Sequence, residues 1–114
     1  GALKTLEDIH KASILALYSG ADFLKTSTGK GYPGASPEAA YVMSNAIKSY
    51  FKKTGTKVGI KLSGGISTVK DAIMYYTIVK EVLGEEWCNK SLFRIGASRL
   101  ANSLLKEITE NQTT

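Results

Sequence analysis

The sequence predicts an α/β fold, a segment of an α/β barrel, on three observations. Stretches of helical and strand period alternate along the 114 residues in the order α-β-α-β-α-β-α. Each strand-like stretch runs into small residues, TSTG after the first, SGG after the second and GAS at the end of the third. The first two strands also carry a lysine on the face opposite their apolar one. A doubly wound sheet buries both faces and holds such lysines poorly, whereas a barrel places them at the mouth of its interior.

Thr5 starts the first helix, with Asp8 three residues on as a variant of the capping box. Leu6, Ile9, Ala12/Ser13 and Ala16/Leu17 recur at helical spacing as far as Tyr18, and Gly20 is the stop signal. His10 falls in this helix without a partner ligand and reads as a solvent-facing or packing residue. Then ADFLKTSTGK (21–30) begins as a short apolar strand and ends in small hydroxylated residues and glycine. It places Lys25 near the carboxyl end of a strand, where barrels keep their reacting groups. The open backbone of the following residues, with Lys30 beside it, suits an anion.

After the turn at 31–34, Ser36 caps a second helix, Pro37 takes its first position and Glu38 meets the positive end of its dipole. Ala39, Met43, Ala46/Ile47 and Tyr50 make its buried stripe, and Lys52, Lys53 and Gly55 close it. In the second strand, 57–62, Val58, Ile60 and Leu62 share one face while Gly59, Lys61 and Ser63 share the other. The strand enters SGGIS (63–67), whose paired glycines let an anion approach the backbone. Thr68 caps the third helix, with Ala72, Tyr76, Val79 and Leu83 buried and Gly84 at its end. Trp87 and Cys88, in the connector 85–90, plug the outer layer. In the third strand, 91–96, Phe93 and Ile95 point one way, and Leu92, Arg94 and Gly96 the other. A last helix carries Leu100, Leu104 and Ile108, and 109–114 reads as a flexible tail.

Composition narrows the function. The hydrophobic fraction is 43 % and no run approaches the ~20 apolar residues of a membrane span. One cysteine and one histidine exclude an intramolecular disulfide and argue against a Cys/His metal site. The formal charge of +5 suits an anionic ligand. The lysines are scattered, with no basic stripe interleaved with aromatics, so nucleic acid is not the expected partner. The absence of a secretion pattern makes a reducing cytoplasm the expected location.

Taken in order and spacing, ADFLKTSTGK (21–30), VGIKLSGGIST (58–68) and LFRIGAS (92–98) closely resemble the deoxyribose-phosphate aldolase family over about residues 3–105. The segments 47–55 and 84–98 resemble its eukaryotic-type branch. The resemblance implies a (β/α)8 barrel and a class I aldolase. Such an enzyme cleaves 2-deoxy-D-ribose 5-phosphate to D-glyceraldehyde 3-phosphate and acetaldehyde through a lysine Schiff base, without a metal or other cofactor. It assigns the Schiff base to Lys25 and the second active-site lysine to Lys61. Amines attack aldehydes in their neutral form, which a second ammonium nearby favours. The resemblance also gives phosphate contacts to Gly64, Gly65, Gly96 and Ser98, and sets Thr28, Gly29 and Lys30 along the sugar and its phosphate.

The sequence departs from the family pattern at Leu62, Ser63, Ser67 and Arg99. Ser67 stands where many relatives have an arginine, and Arg99 is a candidate to compensate. A whole barrel takes roughly 200 residues or more. By the resemblance, residues 1–114 are therefore the carboxyl-terminal part of a single barrel domain, its last three strands, without the family's proton-relay aspartate. The expected partners are a small phosphorylated sugar and either further copies of the chain or the amino-terminal part of the barrel. Three classes follow: an aldolase inactive or nearly so as this segment alone, a catalytically silent phosphate-binding relative, and a self-associating barrel fragment.

Overall fold

In the computed structural model of the chain, the structure describes residues 2–26, 35–64, 66 and 68–96, with backbone alone for 2–5. The elements run α1 (Ala2–Tyr18), β1 (Phe23–Lys25), α2 (Pro37–Thr54), β2 (Gly59–Ser63), α3 (Val69–Leu83), a 3-10 turn (Glu85–Trp87) and β3 (Phe93–Gly96). The expected last helix and the tail at 109–114 lie outside the described residues. The three strands form one parallel sheet in the order β1-β2-β3. Consecutive parallel strands joined by right-handed helical crossovers place their helices on a single face of the sheet.

Caps and apolar periodicity set the helices. Ser36, in extended conformation, accepts the Ala39 N–H at 3.1 Å, and Pro37 opens α2. Thr68 does the same for α3 through the Asp71 N–H at 3.1 Å. The start of α1 differs from the sequence reading. The helix begins at Ala2, so Thr5 lies inside it and is not its cap. Ala2, Leu3 and Lys4 are all strong helix formers, and that propensity carries the helix past a weak capping signal. Its buried stripe selects Ser13 over Ala12, with the Ser13 hydroxyl turned back onto the Ile9 carbonyl at 2.8 Å.

Between sheet and helices lies a core of Leu24, Ile60, Leu62, Phe93 and Ile95 from the strands, with Leu17, Met43, Ile47, Tyr76 and Val79 from the helices. Burying each of these large side chains contributes about 1.5–3 kcal/mol. The middle helix α2 packs on both α1 and α3. Edge-to-face ring pairs fix its outer end, Tyr18 on Tyr50 and Phe51 on Trp87. Trp87 is buried and its indole Nε1–H donates to the Val58 carbonyl at 2.8 Å, which ties the connector to the entry of β2. Cys88 is buried beside it, as expected of an outer-layer plug.

Candidate active site

The strands alternate cleanly. Leu24, Ile60, Leu62, Phe93 and Ile95 are buried toward the helices. Residues one step away point to the opposite face, because side chains alternate across a strand. Parallel register then sets Lys25 opposite Lys61, and Lys61 opposite Arg94. Three basic side chains thus form one row across the sheet, with Lys25 and Arg94 exposed and Lys61 half-buried. The row lies at or near the carboxyl ends of the strands. Among the described residues none of the three forms an ion pair; the pairs present, Lys57–Glu86 at 3.3 Å and Lys80–Glu85 at 3.6 Å, involve other elements.

Below the row, Phe23 lies across Gly59. A Cβ at Gly59 would stand 2.4 Å from the ring, so only glycine leaves room for it. Across β2 the same ring meets the Arg94 guanidinium, whose Cζ is 4.6 Å from the ring centre. Arg94 Nε–H also donates to the Lys90 carbonyl at 3.2 Å, so its planar head is held at two points. Above the row, Ser63 and Gly96 are partners in register. A Cβ at Gly96 would lie 2.7 Å from the Ser63 Cβ and 3.6 Å from Lys61 Cε. The bare backbone of Gly96 makes space for Ser63 and borders the end of the Lys61 stem.

The mouth of the sheet is tied by the residues that follow the strands. Thr26 N–H donates to the Lys61 carbonyl at 3.0 Å. Its hydroxyl donates to the Ser63 carbonyl at 2.7 Å and accepts the Ser63 N–H at 2.8 Å. Gly64, at φ +87°, then turns the chain away in a conformation that favours glycine. Of the residues assigned to the site by sequence, Lys25, Lys61, Gly64 and Gly96 stand together at this end. Thr28, Gly29, Lys30, Gly65 and Ser98 lie outside the described residues, as do Ser67 and Arg99. Leu62, one of the departures from the family pattern, is fully buried on the helix side and does not face the lysine row.

Two features of this face escape a reading of the sequence. Arg94 is visible there only as a residue on the Gly96 side of its strand; its place beside Lys61 comes from register. Thr26 shows as a small residue after Lys25, while its partner lies 37 positions further along. Among the described residues no three His, Cys, Asp or Glu side chains gather as a metal site, and no helix is long and apolar enough to cross a membrane. The outer helical layer carries a separate groove of about 460 Å³ between α1 and α2, bordered by Leu6, His10, Tyr41 and Asn45. None of the lysine-row residues lines it.

Among the described residues, parallel strands with helical crossovers set Lys25 and Lys61 side by side toward the carboxyl ends of their strands. The chain belongs to the DeoC/LacD aldolase family, whose profile matches residues 4–106. It is 46 % identical to human deoxyribose-phosphate aldolase over 113 residues, 99 % of this chain and 36 % of the human protein. A Caenorhabditis elegans protein provisionally named deoxyribose-phosphate aldolase is 52 % identical over 106 residues, 93 % of this chain and 35 % of that protein. The apo crystal structure of a Toxoplasma gondii protein, also provisionally named deoxyribose-phosphate aldolase, superposes with a TM-score of 0.69 at 26 % identity, covering 90 % of this chain and 40 % of its own. The chain thus spans about a third of the length of the curated relatives it matches. Its fold is a segment of their barrel architecture, as the sequence predicts.

Proposed function

We propose that this chain carries the Schiff-base half of an aldolase that cleaves 2-deoxy-D-ribose 5-phosphate to D-glyceraldehyde 3-phosphate and acetaldehyde. The observation that carries the reading is the register pair Lys25–Lys61, at the carboxyl end of a parallel sheet and on the face that none of the described helices covers. In the neutral form, the Lys25 amine adds to the C1 aldehyde of the open-chain sugar and loses water, giving a protonated imine. The C3 hydroxyl gives up its proton to a base as the C2–C3 bond breaks. The bonding pair moves into an enamine conjugated to the imine nitrogen, and glyceraldehyde 3-phosphate leaves. Protonation of the enamine carbon and hydrolysis then release acetaldehyde and free the lysine.

Lys61 is the register partner of Lys25 on the neighbouring strand and serves in this reading as the second active-site lysine. In the same reading Gly64, Gly65, Gly96 and Ser98 receive the phosphate, and Thr28, Gly29 and Lys30 border the sugar and its phosphate. In this reading residues 1–114 form the carboxyl-terminal part of one barrel domain that acts in the cytoplasm in deoxyribonucleotide catabolism. The rest of the barrel supplies the proton relay, so turnover by this segment alone is expected to be slight.

The test is reductive trapping. The chain is incubated with acetaldehyde and borohydride, and each lysine's labelling is followed by peptide mass mapping, with Lys25→Ala as control. Labelling of Lys25 well ahead of Lys52 and Lys53 on α2 is the expected result. Lys25 labelled no faster than those lysines, both here and in a polypeptide of the relatives' full length, overturns the reading.

A further inference from the structure

We infer that Thr26 is a positioning residue for the lysine pair. Its hydroxyl bridges the N–H and the carbonyl of Ser63 and so locks Lys25 in register with Lys61. The inference rests on the Schiff-base reading above and adds a residue to it.

The geometry is specific to a hydroxyl. Regular pairing of β1 with β2 ends at Lys25↔Lys61, and the Thr26 N–H still reaches the Lys61 carbonyl at 3.0 Å. Beyond that point the backbone of β1 no longer serves the next peptide of β2. The Thr26 side chain takes over, accepting from Ser63 N–H at 2.8 Å and donating to Ser63 C=O at 2.7 Å. One oxygen therefore fills both roles that a neighbouring strand would fill. Thr26 is buried, at 7 % exposure, so water competes weakly for those bonds.

The same carbonyl has a second anchor. Ala35 N–H donates to Ser63 C=O at 2.9 Å and to Gly64 C=O at 3.0 Å. Thr26 and Ala35 flank residues 27–34, the stretch that holds Thr28, Gly29 and Lys30. Both stems of that stretch are thus fastened to a single carbonyl, one residue before the positive-φ turn at Gly64. The end of β1, Ala35 and the turn at Gly64 meet at this one carbonyl, and the Thr26 hydroxyl is the side-chain member of the group. Threonine also suits the place by shape, since its branched Cβ restricts χ1.

Removing the hydroxyl leaves the Ser63 N–H without its partner and frees the end of β1 to shift against β2. A misplacement on the order of 1 Å at a reacting group costs up to about 100-fold in rate. Thr26→Val keeps shape and loses the hydroxyl, while Thr26→Ser keeps the hydroxyl and loses a methyl. Two readouts are taken on the 114-residue chain and both variants: Ser63 amide hydrogen exchange by NMR, and acetaldehyde–borohydride labelling of Lys25 across pH. Thr26→Val is expected to speed Ser63 exchange at least tenfold, to slow Lys25 labelling by roughly 10- to 100-fold and to shift its pH profile. Thr26→Ser is expected to stay within about threefold of the parent chain in both.

Lys25 labelling that keeps its rate and pH profile in Thr26→Val, whatever happens at Ser63, overturns the inference. A parent chain with no preferential labelling of Lys25 counts against the Schiff-base reading, and Ser63 exchange then decides the clamp. Protection lost in Thr26→Val and kept in Thr26→Ser supports it; equal protection in all three chains overturns it. If Thr26→Val fails to fold by circular dichroism, Thr26→Ala takes its place against Thr26→Ser.

Discussion

At the scale of single residues, the sheet face is shaped as much by missing side chains as by present ones. Gly59 gives up its Cβ to Phe23, and Gly96 gives up its own to Ser63 and Lys61. A methyl at Gly96 meets the Ser63 Cβ at 2.7 Å, inside any real contact distance, and neither atom is the end of a flexible chain. Gly96→Ala is therefore expected to force Ser63 and its strand apart from β3, at a cost of about 1–3 kcal/mol in urea denaturation. Since Lys61 Cε borders the same space, the variant should also alter the labelling rate at Lys61. An unchanged midpoint and unchanged labelling would show that the two strands separate freely at this point. That Lys25 and Lys61 lie on the face away from the buried one was legible in the sequence, because strand alternation is a local signal. The reason for Gly96 was not, since the atoms that need its emptiness belong to a strand about thirty positions earlier.

At the scale of elements, alternation of period predicted every described strand and α-helix, though not the short 3-10 helix Glu85–Trp87 in the connector, and Ser36 and Thr68 cap the helices that the sequence assigns to them. The sequence reading failed at α1, where Thr5 resembles a cap but the preceding residues favour helix strongly enough to continue it. It also could not supply the Thr26–Ser63 bridge, which depends on two strands meeting in one register. The connector from α3 to β3 yields a pH prediction. Burial pushes the Cys88 thiol above its ordinary value, with Glu85 adding in the same direction and Tyr76 and Lys80 opposing. The folded chain therefore holds the thiol neutral while the unfolded chain ionises it first. The resulting stabilisation is fully present below the unfolded thiol's pKa of about 8.5 and is lost as pH rises through the folded value. The unfolding free energy is expected to fall between pH 8 and the folded value, by up to about 1.4 kcal/mol per pH unit. Denaturant titrations of the parent chain and Cys88→Ser check this, the variant losing that slope. The Tyr75 phenol, also raised chiefly by burial, acts in the same sense from about pH 10 upward and persists in the variant.

At the scale of the whole molecule, one layer of helices covers one face of the sheet, and among the described residues no element covers the other. Among the described residues β1 and β3 each pair only with β2, so each presents an edge unpaired by any described strand. Such edges pair readily with another chain. The chain spans about a third of the length of the curated relatives it matches. The isolated 114-residue chain is therefore expected to associate with itself through these edges. The basic row opposes that association. Lys25, Lys61 and Arg94 stand side by side, and the chain as a whole carries a formal charge of +5, so two such faces repel. Salt shortens the reach of that repulsion, from about 30 Å at 0.01 M to about 8 Å at 0.15 M, without weakening backbone pairing or apolar contact. Sedimentation velocity should accordingly show a weight-average coefficient that rises with protein concentration and rises further with salt. A monomer's coefficient that holds across concentration and salt would show that the three-stranded sheet protects its own edges. Association that weakens with salt would instead mean that opposite charges, and not strand edges, bring the chains together.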